Sequence, residues 1–69
     1  MKIEYDSDAD ALYISLIEGD LDETKEIDSS TLIDYDKYGR VIGIEILFVK
    51  ETYPEIMKSL QAENIATAK

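Results

Sequence analysis

The 69-residue sequence contains no cysteine, no histidine and no tryptophan, and only one proline and three glycines. Lack of cysteine rules out a disulfide framework and a thiol nucleophile, and fits a reducing interior. Without histidine a classical zinc site lacks its usual ligands, and Ser15, Ser29, Ser30 and Ser59 lack an imidazole to activate them. The few glycines form no phosphate-cradling loop. No apolar run approaches the length of a membrane span, and the N-terminus lacks a signal-peptide core, so a cytoplasmic location is expected. Positive charge is scarce in the front half: between residues 4 and 36, twelve carboxylates face one lysine, Lys25, a local net of −11. Residues 37–69 carry a net of +1, and the whole chain −9. Such a front disfavours nucleic acid and anionic membranes and favours a basic protein partner or counter-ions. The same charge also serves solubility alone.

What is present is organised around residues 32–48, a strand, a tight turn and a second strand. Asp36 and Gly39 supply the turn chemistry, a side-chain acceptor and a residue at ease with positive φ, which suits a type I turn closed by a glycine bulge. Ile42, Ile44, Ile46 and Phe48 alternate onto one strand face. A shift of thirty residues lays Ile3, Glu4, Tyr5 and Asp6 over Ile33, Asp34, Tyr35 and Asp36, and Leu12, Ile14 and Leu16 over Ile42, Ile44 and Ile46. Duplication explains this repeat, and so does one physical demand met twice. Ala9 falls where the second copy has Gly39, and alanine at positive φ costs roughly 1 kcal/mol, so the first turn should differ in geometry.

The pattern predicts strands at residues 2–6, 11–17, 21–28, 32–36 and 41–49, with the polar segment 21–28 at an edge. Thr52, Pro54 and Glu55 carry helix-start signals, and Ile56, Met57 and Leu60 form a short apolar stripe. The expected architecture is α+β, a single domain over residues 1–69: an antiparallel sheet of four to five strands over residues 2–49, built from two similar hairpins, with one C-terminal helix over 53–64 and a frayed end over 65–69. A core this small is marginal alone. Tyr13, Ile17, Val41, Leu47 and Val49 fall in the outward phase, and one short helix does not cover both sheet faces. These five are therefore interface candidates for a homodimer, against the alternative of scattered, partly exposed apolar residues.

Chemistry is sparse. Asp6, Asp8 and Asp10 match the opening ligands of a calcium loop, but Ala11 and Ile17 stand where its glycine and bidentate glutamate belong. Turn hydrogen bonding explains the same aspartates. Asp34 with Asp36, and Glu4 with Asp6, are paired acids that suit acid–base work only inside a cleft. Tyr5, Tyr13 and Tyr35 lie in strands, where packing explains them better than base stacking in an acidic surround.

The two boxes at residues 3–14 and 32–47 resemble a prokaryotic family catalogued as domain of unknown function 2283, over roughly residues 2–49. The resemblance implies a compact, mostly antiparallel β domain from a bacterial or archaeal cytoplasm, and it brings no catalytic or cofactor-binding residues. On this reading Asp6, Asp10 and Gly39 are turn and packing positions first. The expected function is a non-enzymatic, self-associating interaction module without cofactors, antitoxin-like in that it binds a basic protein. The alternative is a divalent-cation binder or minimal enzyme using the turn aspartates.

Overall fold

The computed structural model describes residues 1–62. Five strands, β1 (Lys2–Asp6), β2 (Ala11–Ser15), β3 (Glu23–Asp28), β4 (Thr31–Tyr35) and β5 (Val41–Leu47), precede two helices, α1 (Val49–Thr52) and α2 (Pro54–Ala62). All neighbours pair antiparallel in the order β1-β2-β5-β4-β3. The class is α+β, and the polar third strand lies at an edge as its charges predict.

Alternation builds two transverse rows on one face. Ile3, Ile14, Ile44, Ile33 and Lys25 stand opposite one another across the five strands, and Tyr5, Leu12, Ile46 and Thr31 form the next row. Tyr5, Leu12 and Val49 are the core of this face, with Ile3, Ile14, Ile46, Ile56, Met57 and Leu60 packed against them. At the far edge the Lys25 ammonium sits 5.3 Å from the Tyr35 ring centre, so the apolar row ends in a cation over an aromatic face.

The repeat in the sequence and the symmetry of the sheet coincide. Ile14 stands opposite Ile44, thirty residues on, and Leu12 opposite Ile46. Leu16 donates its N–H to the Ile42 carbonyl at 2.9 Å, which is the Leu12–Ile46 pair with both members shifted by thirty. A local two-fold axis through the Ile14–Ile44 pair therefore exchanges hairpin β1–β2 with hairpin β4–β5. Their registers agree, Ile3 with Ile14 and Ile33 with Ile44.

The second turn has the expected geometry. Gly39 donates to the Asp36 carbonyl at 3.0 Å and sits at φ 82°. In the first turn the left-handed residue is Asp10, at φ 52°, and not Ala9. Aspartate tolerates that region better than alanine because its short side chain hydrogen-bonds locally.

Three expectations need correction. The strand expected over residues 41–49 stops at Leu47, because Phe48 adopts a left-handed conformation (φ 54°, ψ 46°) and turns the chain away. Val49 then enters α1 and is 0% exposed; it belongs to the core and not to the outward face. The expected helix is α2, and a second, short helix, α1, precedes it where the last strand was expected to end. The two are separated at Tyr53 (φ −135°, ψ 67°), since a residue before proline is driven from the helical region. The second strand ends at Ser15, which leaves Ile17 in the following loop. Residues 63–64 of the expected helix, and the expected frayed end 65–69, lie outside the described residues.

The packing separates two similar side chains. Leu12 is 3% exposed and Ile17 is 42% exposed. Leu12→Ala is expected to cost about 3 kcal/mol and Ile17→Ala under about 1 kcal/mol. Urea unfolding checks this through a lower midpoint at unchanged slope for the first variant.

Candidate functional site

The sheet face away from the helices is polar and, among the described residues, carries no helix. One row across it reads Glu4, Tyr13, Glu45, Leu32 and Glu26, and the next reads Lys2, Ser15, Gly43, Asp34 and Thr24. Tyr13 is the organiser. Its ring crosses the adjacent strand at Gly43, where an added Cβ would lie 2.7 Å from the ring carbon bearing the hydroxyl. The Tyr13 hydroxyl donates to Asp34 Oδ2 at 2.9 Å, and Thr24 Oγ1 donates to Asp34 Oδ1 at 2.6 Å. Three strands, β2, β3 and β4, are thus laced through one carboxylate, with the tyrosine passing over β5. Burial first, then the Asp34 hydrogen bond and the charges of Asp34 and Glu45, raise the Tyr13 phenol above its ordinary value, so it stays a donor. Beside it Glu4, Asp6, Ala9, Ala11, Tyr13 and Glu45 line a shallow cavity of about 280 Å³.

The other sequence candidates fall elsewhere. Asp6 Oδ1 accepts the N–H groups of Asp8 (3.0 Å) and Ala9 (3.3 Å). Asp10 accepts the Tyr5 hydroxyl at 2.6 Å and the Lys50 N–H at 3.2 Å, while its carbonyl accepts from Val49 at 3.2 Å. The Asp10 bond, ahead of burial, pushes the Tyr5 phenol up to about 12. Asp6 and Asp10 therefore serve the turn and the start of α1, and Asp8 is exposed between them. Among the described residues no group of three Asp or Glu side chains is arranged to hold a metal ion.

The paired acids are likewise committed to separate partners. Asp34 belongs to the Tyr13 network, whereas Asp36 accepts the N–H groups of Tyr38 and Arg40 and pairs with Arg40 Nε, each at 2.9 Å. The Arg40 N–H leads the causes that hold Asp36 below the usual carboxylate range, against a burial cost. Of the outward-phase apolar residues, Tyr13 and Leu47 share the polar face by register, Val41 opens β5 opposite Tyr35, and Ile17 lies in the loop after β2. Sequence reasoning missed the Tyr13–Asp34–Thr24 network. The available signal was Gly43 itself, since a glycine inside a strand marks a close approach.

The fold and this face define a small α+β domain, an antiparallel sheet with helices on one side and an acidic, tyrosine-centred face on the other. The family model described as a protein of unknown function, DUF2283, matches residues 2–50, and the chain belongs to that family. The matched span takes in all five strands and ends as α1 begins. No curated protein and no solved structure matches the chain.

Gly43→Ala must displace the Tyr13 ring and break its bond to Asp34. It is expected to cost about 1–3 kcal/mol and to shift the Tyr13 near-ultraviolet signal, readable by denaturation and circular dichroism. Asp36 gives a pH test. Its folded-state value is depressed, so its charge contributes stability that is fully present above the unfolded carboxylate value, about 3.9, and is lost as pH falls through the folded value. Asp36→Asn is expected to melt lower at neutral pH and to lose less further stability on acidification below about pH 4. Thermal melts of both proteins across that range check it.

Proposed function

We propose that this chain is a non-enzymatic, self-associating interaction module whose acidic sheet face receives a basic protein surface. One observation carries the reading: Glu4 and Glu45 flank Tyr13 in a single row on the face that the helices leave open. A tyrosine held by a hydrogen bond contributes contact area at small entropic cost, and flanking carboxylates steer and align a cationic partner. A cytoplasmic, prokaryotic neutraliser of a small basic protein, antitoxin-like in that sense, is the concrete version. The charge split supports it, because the acidic front half supplies most of this face.

The test is capture from a native-host extract with the wild-type chain and with Glu4→Lys/Glu45→Lys. The wild type is expected to retain a basic protein at low salt and the variant to lose it, with folding verified by circular dichroism. Recovery of the chain alone at low salt contradicts the reading. The rival use of Asp6, Asp8 and Asp10 as a cation site predicts a gain of several degrees in melting temperature with millimolar calcium or magnesium. On the present reading the gain is small and unselective.

A further inference from the structure

The two-fold relation between the hairpins exposes an asymmetry. Strand β4 is covered on its outer side by β3, whereas the equivalent strand β1 has no strand beside it among the described residues. The alternation of ladder bonds shows which groups are left open. Leu16 bonds to Ile42 and Leu47 to the Ser30 carbonyl, so Leu12, Ile14 and Leu16 face β5, and Ala11, Tyr13 and Ser15 face β1. Their β1 partners are Asp6, Glu4 and Lys2. The N–H and C=O groups of Ile3 and Tyr5 therefore point out of the sheet edge. The equivalent residues, Ile33 and Tyr35, stand opposite Lys25 and Glu23 of β3, and the Tyr35 carbonyl accepts the Asp22 N–H at 2.9 Å.

The two edges are also built differently. All six residues of β3 are exposed, four of them are charged, and its register shifts between Glu26 and Asp28. Charge and a bulge are devices that keep an edge unpaired. Strand β1 is also charged at three of its five positions, but it pairs with β2 in an unbroken register and turns Ile3 and Tyr5 to the helix side, where β3 has Lys25 and Glu23.

The geometry points to a second copy of this chain as the occupant of that edge, β1 against β1 antiparallel, with the dyad at Ile3. Charge selects this register. With the dyad at Ile3, each Lys2 faces Glu4 of the other copy, so the Lys2–Glu4 contact within one chain (3.6 Å) becomes a four-charge alternating cluster. With the dyad at Glu4, two glutamates meet between two Lys2–Asp6 pairs; with the dyad at Tyr5, Glu4 meets Asp6 twice. Each of these like-charge contacts costs energy directly across a strand pair, and of the three registers the dyad at Ile3 alone has none. In the selected register the Ile3 backbones bond to each other, and Tyr5 bonds to Met1 of the other copy, a residue 88% exposed in the single chain. The two Ile3 side chains meet on the helix side, so the apolar grooves of about 370 Å³ between sheet and α2, each lined by Ile3, Ile14, Ile56 and Leu60 among others, adjoin across the dyad. A face-to-face pairing through the polar side would instead set Glu4, Glu45 and Glu26 of one copy against those of the next. The edge leaves Glu45 and Glu26 of that acidic face open on both copies for the basic partner, with Glu4 at its border beside the dyad.

This assignment rests on the self-association proposed above, and the experiment separates the two. Sedimentation equilibrium from micromolar to millimolar protein, in enough salt to screen the net charge, is combined with residue-resolved amide exchange. A dimer is expected, with the Ile3 and Tyr5 amides protected only at dimerising concentrations and the Ile33 amide protected throughout. Lys2→Glu and Glu4→Lys each weaken dimerisation on the order of tenfold, and the double exchange Lys2→Glu/Glu4→Lys restores it. A monomer at every concentration overturns both readings. A dimer in which Ile3 and Tyr5 exchange freely, or in which the double exchange fails to rescue, overturns the edge assignment alone.

Discussion

The pairing of Ile14 with Ile44 is the constraint from which the rest of the sheet follows. It joins two hairpins at their inner strands and sets each residue of β2 against β5 so that an offset of thirty carries one ribbon onto the other. A slip of one residue here would turn every inward side chain of one hairpin to solvent. Ile3, Tyr5, Leu12 and Ile14 would leave the core together. The helices then have one place to lie, over the row that this pairing makes apolar.

The two hairpins share a turn opening and diverge after it. Asp6 and Asp36 each accept backbone N–H groups inside their own turns. In the second hairpin Arg40 closes back on Asp36. In the first, the residue at the corresponding place is Asp10, which reaches outward instead, to the Tyr5 hydroxyl and the first N–H groups of α1. One exchange of arginine for aspartate thus converts a self-contained turn into the anchor that seats the helices. Phe48 and Asp10, both left-handed, meet at that junction.

Much of the sheet is legible in the alternation of Ile, Leu and Tyr, because a half-buried strand needs little more than period two and a turn at each end. The Asp36–Gly39 turn is legible for the same local reason. Strand order is less so: β5 lies between β2 and β4, and no short-range signal states it. The helix break at Tyr53 was available in Pro54, and the buried place of Val49 was not. It depends on Phe48 taking a positive φ, which an aromatic residue does not advertise. The acidic face shows the same division. Its charge is plain in composition, but the Tyr13 bond to Asp34 needs the register that brings residues 13, 34 and 43 side by side.

An acidic face braced by one tyrosine, and a sheet edge that no strand covers among the described residues, are the two surfaces on which the proposals rest. Both depend on β2 lying against β5 in the register given above. The direct measurement is the set of nuclear Overhauser contacts between Hα protons, which are close only across the non-hydrogen-bonded pairs of an antiparallel ladder. The account predicts strong Hα–Hα cross-peaks from Tyr13 to Glu45 and from Ser15 to Gly43. Cross-peaks from Ile14 to Glu45, or from β2 to β4 in place of β5, would contradict it.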